Sequence, residues 1–320
     1  MNPNLEAALI IFFSLLFIVA LTLGFTYFTY FMAFKRRKKK VNIEKDLGIK
    51  ISGYDKILDS SEELKRLPYE RVEIKSHDGL TLVGRYYHVL DGAPVDILVH
   101  GYRSSPTHDF GCGISSHFEM KHNCLLVYQR AIGKSEGRSI TFGHKEKLDL
   151  LSWCEYVIKR FGEDVEITLA GISMGAATVI LASALDLPTN VKYAIADCPY
   201  SSAKEEICLT VRGMHLPPPL VWPFIRLGGI LFARFDPECV SVAEAASKSK
   251  IPILLIHGEA DSFVPKYMSD KIYAANTGTM YYHTFPSADH GLSYVVDPER
   301  YKELTNGMAE KYLKHSIRKK

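Results

Sequence analysis

The sequence predicts an α/β fold: a mostly parallel sheet with helices on both faces, preceded by one N-terminal transmembrane helix. Three observations predict it. An uncharged run of 28 residues extends from Ala7 to Phe34. Two strand-like segments flank the turn Asp78-Gly79, and short apolar runs then recur with helix-length stretches between them. At 320 residues and 47% hydrophobic content the chain can bury a sizeable core as one large or two small domains.

The first element is the apolar run. At 1.5 Å per residue a helix of that length exceeds the hydrocarbon core of roughly 30 Å and can span it with some tilt. A cleaved signal peptide would need a basic N-terminal region and a small-residue cleavage site. Asn2 to Glu6 carries no Lys or Arg, and the run closes on Tyr27, Phe28, Tyr30 and Phe31. Lys35-Arg36-Arg37-Lys38-Lys39-Lys40 follows directly, and basic residues beside a span mark its cytoplasmic side. The expectation is a single-pass protein of the cell membrane with its remaining bulk in the cytoplasm. Removing those six charges from the net +3 leaves −3, so nothing points to nucleic-acid binding. The basic run itself reads as a topology determinant that touches anionic lipid.

Residues 41–68 read as a linker and short helix, with Asp59-Ser60-Ser61-Glu62-Glu63 as a start and Pro68 as a stop. Residues 1–40 are then the anchor with its basic flank, and 69–320 the folded domain. Its strands are expected at Tyr69 to Ser76, Leu80 to Val89, Val95 to Val99, Cys124 to Val127, Ile167 to Ala170, Tyr193 to Ala196, Ile253 to Ile256 and Met280 to Phe285. The first two form a hairpin. The later runs are apolar on both faces, as strands covered by two helical layers require. The six cysteines show no C-x-x-C pair and no H-E-x-x-H occurs, so they read as small buried hydrophobes and no metal or cofactor is called for.

The chemistry centres on Gly171-Ile172-Ser173-Met174-Gly175, between the strand at 167–170 and a helix expected from Ala176 to Leu187. Such a pentapeptide arises by chance in about one chain in ten of this length, so its placement carries the signal. A sharp strand-to-helix turn presents the serine alone above the sheet, and the glycines let strand and helix approach. A serine hydroxyl needs a base near neutral pH, and His290 lies in the loop beyond the last strand, on the edge where strand-to-helix loops collect. Asp261 follows the penultimate strand and is assigned as the acid, with Asp197 as its rival. Asp289 shapes the loop; His257 and His283 read as structural. Negative charge forming on oxygen needs backbone donors, assigned to Met174 at the helix start and Tyr102 in the His100-Gly101-Tyr102 loop.

Ser, Asp and His in that order, with the elbow and the His-Gly loop, resemble the α/β-hydrolase superfamily over residue 69 to the C-terminus. The resemblance is closest to bacterial hydrolases related to monoacylglycerol lipases and serine aminopeptidases. Tyr128 to Gly137 resembles the superfamily's D-x-R-G-x-G-x-S segment, with Gln129 and Ala131 departing from it; the segment is structural there. The lipase-type H-G-G-G is absent. The resemblance implies the α/β-hydrolase fold with a cap, placed at about 199–250 because over fifty residues separate two strands.

These features lead to a serine hydrolase of the carboxylesterase or lipase-like class, acting on a small-molecule or lipid-like ester. The cap's large apolar residues, Met214 to Phe232, are expected to wall Ser173 and accept an acyl chain. A thioesterase or an amidase/peptidase would use the same residues, and a non-catalytic anchored binding protein is the reading outside enzymology. Oligomeric state is not legible.

Overall fold

A computed structural model describes residues 3–37 and 54–314. Lys38 to Lys40 and residues 41–53 of the expected linker lie outside the described residues. Eight strands form one sheet: β1 (Glu70–Lys75), β2 (Thr81–Tyr87), β3 (Val95–Val99), β4 (Asn123–Val127), β5 (Ile167–Ile172), β6 (Val191–Asp197), β7 (Ile253–Gly258) and β8 (Met280–Phe285). Their order is β1-β2-β4-β3-β5-β6-β7-β8. Only β2 runs against the rest, pairing antiparallel with β1 and β4. Every remaining pair is parallel.

The two-residue period of the strands sorts the core into two layers. On one face Ile97, Val99, Leu125, Leu169 and Leu255 pack with Leu150 and Trp153 of the helix Glu146–Phe161 and with Ala177 and Ile180 of the helix Met174–Ser183. On the other, Leu98, Leu126, Ala170 and Leu254 meet Leu64, Phe110, Ile114 and Met308. Leu64 belongs to the helix Tyr54–Arg66, so that helix is part of the second layer. The insertion between β6 and β7 holds the helices Ala203–Gly213 and Pro218–Gly228, a π turn Gly229–Ala233 and the helix Val242–Ser247.

The N-terminal helix spans Pro3–Ala33 and is long and apolar enough to cross a membrane. Its two ends differ. From Leu5 to Leu23 its large apolar side chains are exposed, whereas Thr26, Thr29 and Tyr30 are buried. Phe34, just past the helix, is fully buried against Phe142 and Phe235. The chain leaving the helix is tied to the domain by Arg36 N–H to the Arg138 carbonyl (2.9 Å) and Ile140 N–H to the Phe34 carbonyl (2.7 Å). The foot of this helix is therefore built into the domain core.

Candidate active site

β5 ends and the helix Met174–Ser183 begins without a spacer, which puts Ser173 at φ 57°, ψ −118°, a sparsely populated backbone region. Only glycine permits the approach. A Cβ on Gly171 would stand 2.3 Å from the Gly175 carbonyl carbon, and one on Gly175 would stand 1.9 Å from the Val99 carbonyl oxygen. The turn is held by Ser173 N–H to the Asp197 carbonyl and Ala177 N–H to the Ser173 carbonyl, each 2.9 Å. Ser173 is left 9% exposed.

The structure brings Ser173, His290 and Asp261 into one hydrogen-bonded chain. His290 Nε2 is 2.9 Å from Ser173 Oγ, and its Nδ1 is 2.8 Å from Asp261 Oδ2. The other carboxylate oxygen accepts from the N–H groups of Phe263 (3.0 Å) and Val264 (2.7 Å). Phe263 lays its ring 5.2 Å from the imidazole. The rival acid Asp197 turns elsewhere and accepts from Ser293 Oγ at 3.1 Å. Asp289 accepts from the N–H groups of Ser262 and His290, shaping the loop.

Electrostatics follow from this packing. Burial opposes ionisation of Asp261, but the charge of His290 and hydrogen bonds from His257 and His290 hold it well below the usual carboxylate range. Burial likewise opposes the His290 cation; Cys198 and Asp261 outweigh it and raise His290 well above its ordinary value. Burial pushes the Cys198 thiol up to about 11, so at neutral pH the effective partner is Asp261. Asp197 rises to about 6, chiefly through burial.

The oxyanion candidates Met174 and Tyr102 lie at the start of the helix after β5 and in the loop after β3. Met174 is the first residue of its helix. The loop after β3 abuts the serine, since a Cβ on Gly101 would stand 3.3 Å from Ser173 Cβ. Gly101 N–H is engaged by Asp109 Oδ2 at 2.6 Å, which leaves Tyr102 N–H as the next donor along the loop. The Tyr102 side chain points the other way, its hydroxyl donating to the Ala33 carbonyl at 2.7 Å. His100 is spent on structure: Nδ1 faces the Gly101 carbonyl at 2.8 Å and Nε2 accepts from Gln129 N–H at 3.1 Å.

Two residues near the site escape sequence reasoning. His257, expected to be structural, touches the acid: its Nε2 lies 3.3 Å from Asp261 Oδ2 and 2.8 Å from the Val264 carbonyl, and its Nδ1 lies 2.6 Å from Ser269 Oγ. The signal was its place at a strand end, four residues before the acid. Glu206, in the cap helix Ala203–Gly213, is buried with Oε2 unpartnered, and burial pushes its carboxyl up to about 7. The charges of His290 and Asp261 both act on it. Nothing in the sequence separates Glu206 from its neighbour Glu205, which pairs with Lys271.

Cys198, Asp261 and His290 offer ligand-type atoms within 4.8 Å of one another. Protein groups already engage both oxygens of Asp261 and both ring nitrogens of His290.

The cap departs from expectation. Trp222 and Ile225 are buried, but Met214, Leu216, Leu220, Ile230, Leu231 and Phe232 are exposed. Within the helix Pro218–Gly228 the buried positions are Trp222, Ile225 and Gly228, the last of them against Thr26 and Tyr30 of the N-terminal helix.

No family model matches the chain. It is 24% identical over 298 residues to the uncharacterized protein YqkD of Bacillus subtilis, covering 89% of this chain and 91% of that one. It is also 24% identical over 239 residues to protein bem46 of Schizosaccharomyces pombe, covering 72% and 74%. Among solved structures, the esterase Pf2001 of Pyrococcus furiosus superposes with a TM-score of 0.62 at 25% identity, over 79% of this chain and 95% of that one. The α/β hydrolase GrgF of a Penicillium species gives 0.62 at 17% identity, over 77% and 99%. The chain has the α/β-hydrolase fold. In an α/β hydrolase so connected, the loops after β3, β5, β7 and β8 meet at the carboxyl ends of the strands, and these loops carry Tyr102, Ser173, Asp261 and His290.

Proposed function

We propose that this α/β hydrolase is a membrane-anchored serine hydrolase that cleaves a carboxylic ester through Ser173, His290 and Asp261. The observation that carries the reading is the Ser173–His290–Asp261 relay, at 2.9 and 2.8 Å, on a strained elbow. Ser173 Oγ attacks the carbonyl carbon while its proton passes to His290 Nε2. Asp261 holds the ring in the tautomer that can receive it and stabilises the imidazolium. The oxyanion formed is met by the N–H groups of Met174 and Tyr102, which are fixed before the reaction begins. Collapse breaks the C–O bond, His290 returns the proton to the departing alcohol, and an acyl-Ser173 ester remains. Water, deprotonated by His290, then attacks that ester to release the acid and regenerate Ser173.

The anchor reading is supported by the buried foot of the N-terminal helix, because removing it would strip Phe34 from the core. The basic flank beginning at Lys35 supports a cytoplasmic domain. The test is turnover of p-nitrophenyl esters of rising chain length by the full chain. Ser173→Ala is expected to lower turnover by about a millionfold while the fold persists. Turnover retained in Ser173→Ala would remove the serine from the chemistry.

A further inference from the structure

The exposed apolar residues of the cap form one surface with the N-terminal helix. Phe224 packs edge-on to Phe25 with ring centroids 4.9 Å apart, and Phe232 packs on Tyr27 and Tyr30 at 5.2 and 5.4 Å. The crossing is close because of Gly228: a Cβ there would stand 2.9 Å from the Thr26 carbonyl oxygen and 3.1 Å from Tyr30 Cβ. Beyond this seam the cap turns Leu220 (69% exposed), Ile230 and Leu231 (48%) outward, beside an N-terminal helix whose own large apolar residues are exposed. The one cation in the helix Pro218–Gly228, Arg226, is drawn to Asp236 and Glu238, each at 2.7 Å. A contiguous apolar surface of this kind marks a site that water does not normally cover.

The level of this surface is set by the neighbouring groups. Lys35 Nζ bonds the Tyr27 hydroxyl at 2.8 Å and lies over the rings of Tyr27 and Phe31, a tyrosine and lysine grouping typical of the headgroup boundary. Phe25 sits eight residues before Ala33, about 12 Å along the helix. A bilayer that covers the helix as far as Phe25 must therefore reach Phe224 and the residues beside it.

We propose that Leu216 to Phe232 is a second membrane-contacting element, lying at the headgroup and acyl boundary of the leaflet that the N-terminal helix leaves. The occupant of the surface is lipid. This rests on the anchored reading above and deepens it, since Tyr102, which follows the Gly101 that abuts Ser173, is bonded to Ala33 at the foot of the same helix. The active-site edge is thereby held against the lipid phase by two elements, and an ester dissolved in that leaflet has a short path to Ser173.

The test uses the full chain in phosphatidylcholine and phosphatidylglycerol vesicles, with Cys112, Cys208 and Cys239 replaced by serine so that one added thiol can carry a fluorophore. Leu220 and Leu231 are exposed, so Leu220→Cys and Leu231→Cys disturb no packing. Phe17→Cys reports on the span and Asp186→Cys on the exposed opposite edge of the domain. Labels at 220 and 231 are expected to show about fivefold weaker quenching by aqueous iodide than the label at 186, and to be quenched by lipids carrying a shallow nitroxide. Iodide quenching at 220 and 231 equal to that at 186, with the Phe17 label shielded, overturns the proposal and leaves the anchor standing. A Phe17 label open to iodide overturns the anchor and the proposal with it. Labels at 220 and 231 shielded from iodide yet untouched by lipid nitroxide would mean a protein covers the surface, and would also overturn it.

Discussion

The elbow around Ser173 and the cap from Leu216 to Phe232 are both short apolar segments punctuated by glycine, and they use those residues in opposite ways. At the elbow, Gly171 and Gly175 bring backbone against backbone so that one polar atom is presented in a fixed place. In the cap, Gly228 brings two helices together so that apolar side chains are presented outward. Close approach is the shared device. What differs is the surroundings: the elbow sits above a sheet covered on both faces, while the cap borders a helix suited to lipid.

The largest effect should separate the relay from its surroundings. Asp261→Asn is expected to lower kcat/KM by about ten thousandfold, because the ring of His290 loses both its tautomer and its counter-charge. Asp197→Asn should cost less than about tenfold, since Asp197 engages Ser293 and an amide oxygen can still accept that bond. The reverse ranking, measured by ester turnover, would move the acid to Asp197.

The pH dependence sharpens the same point. To take a serine proton His290 would have to be neutral, and against the opposing effect of burial Cys198 and Asp261 together raise its pKa well above the ordinary value. Activity of the wild type should therefore rise with pH through a limb on the alkaline side of about 6.5, the unperturbed histidine value. In Asp261→Asn the residual activity should show that limb displaced toward lower pH, because the carboxylate that stabilised the cation is gone. A kcat/KM profile of the two proteins checks this.

On the cap side, Gly228→Val should force the crossing with Thr26 and Tyr30 apart and destabilise the protein by about 1–3 kcal/mol, read as a lower Tm in detergent. An unchanged Tm would detach the N-terminal helix from the cap.

The smallest effect concerns Glu206. A carboxyl raised to about 7 by burial is protonated more readily folded than unfolded. Its contribution thus turns unfavourable as pH climbs from the ordinary carboxylate value through 7, and the full cost applies above that. Glu206→Gln should raise Tm by a few degrees at about pH 8 and leave it nearly unchanged at about pH 5. Thermal melts at the two pH values decide it.

Much of the α/β-hydrolase fold was legible because strands covered on both faces read as continuous apolar runs, and eight of them stand within a residue or two of expectation. β5 runs two residues further than its apolar run suggests, since Gly171 and Ile172 still pair with β6. The helix after the elbow starts at Met174, because Ser173 itself makes the turn. The relay was legible from topology: loops at the carboxyl ends of parallel strands must converge, so Ser173, Asp261 and His290 could be chosen by position. The direction of the cap's apolar residues was not legible. Hydrophobicity reports that a side chain avoids water, and it does not distinguish a wall over Ser173 from a face turned toward lipid. Nor does a strongly apolar helix reveal that its last turns, through Tyr30 and Phe34, belong to the domain core.

Whether Ser173 is the nucleophile of a hydrolase is decided by mapping a fluorophosphonate adduct on the full chain by peptide mass spectrometry. A single adduct is expected on the peptide containing Gly171 to Gly175, located at Ser173 and abolished by Ser173→Ala. Its rate of formation should fall by orders of magnitude in His290→Ala. An adduct on any other residue, or none under conditions where the protein is folded, would contradict Ser173 as the nucleophile.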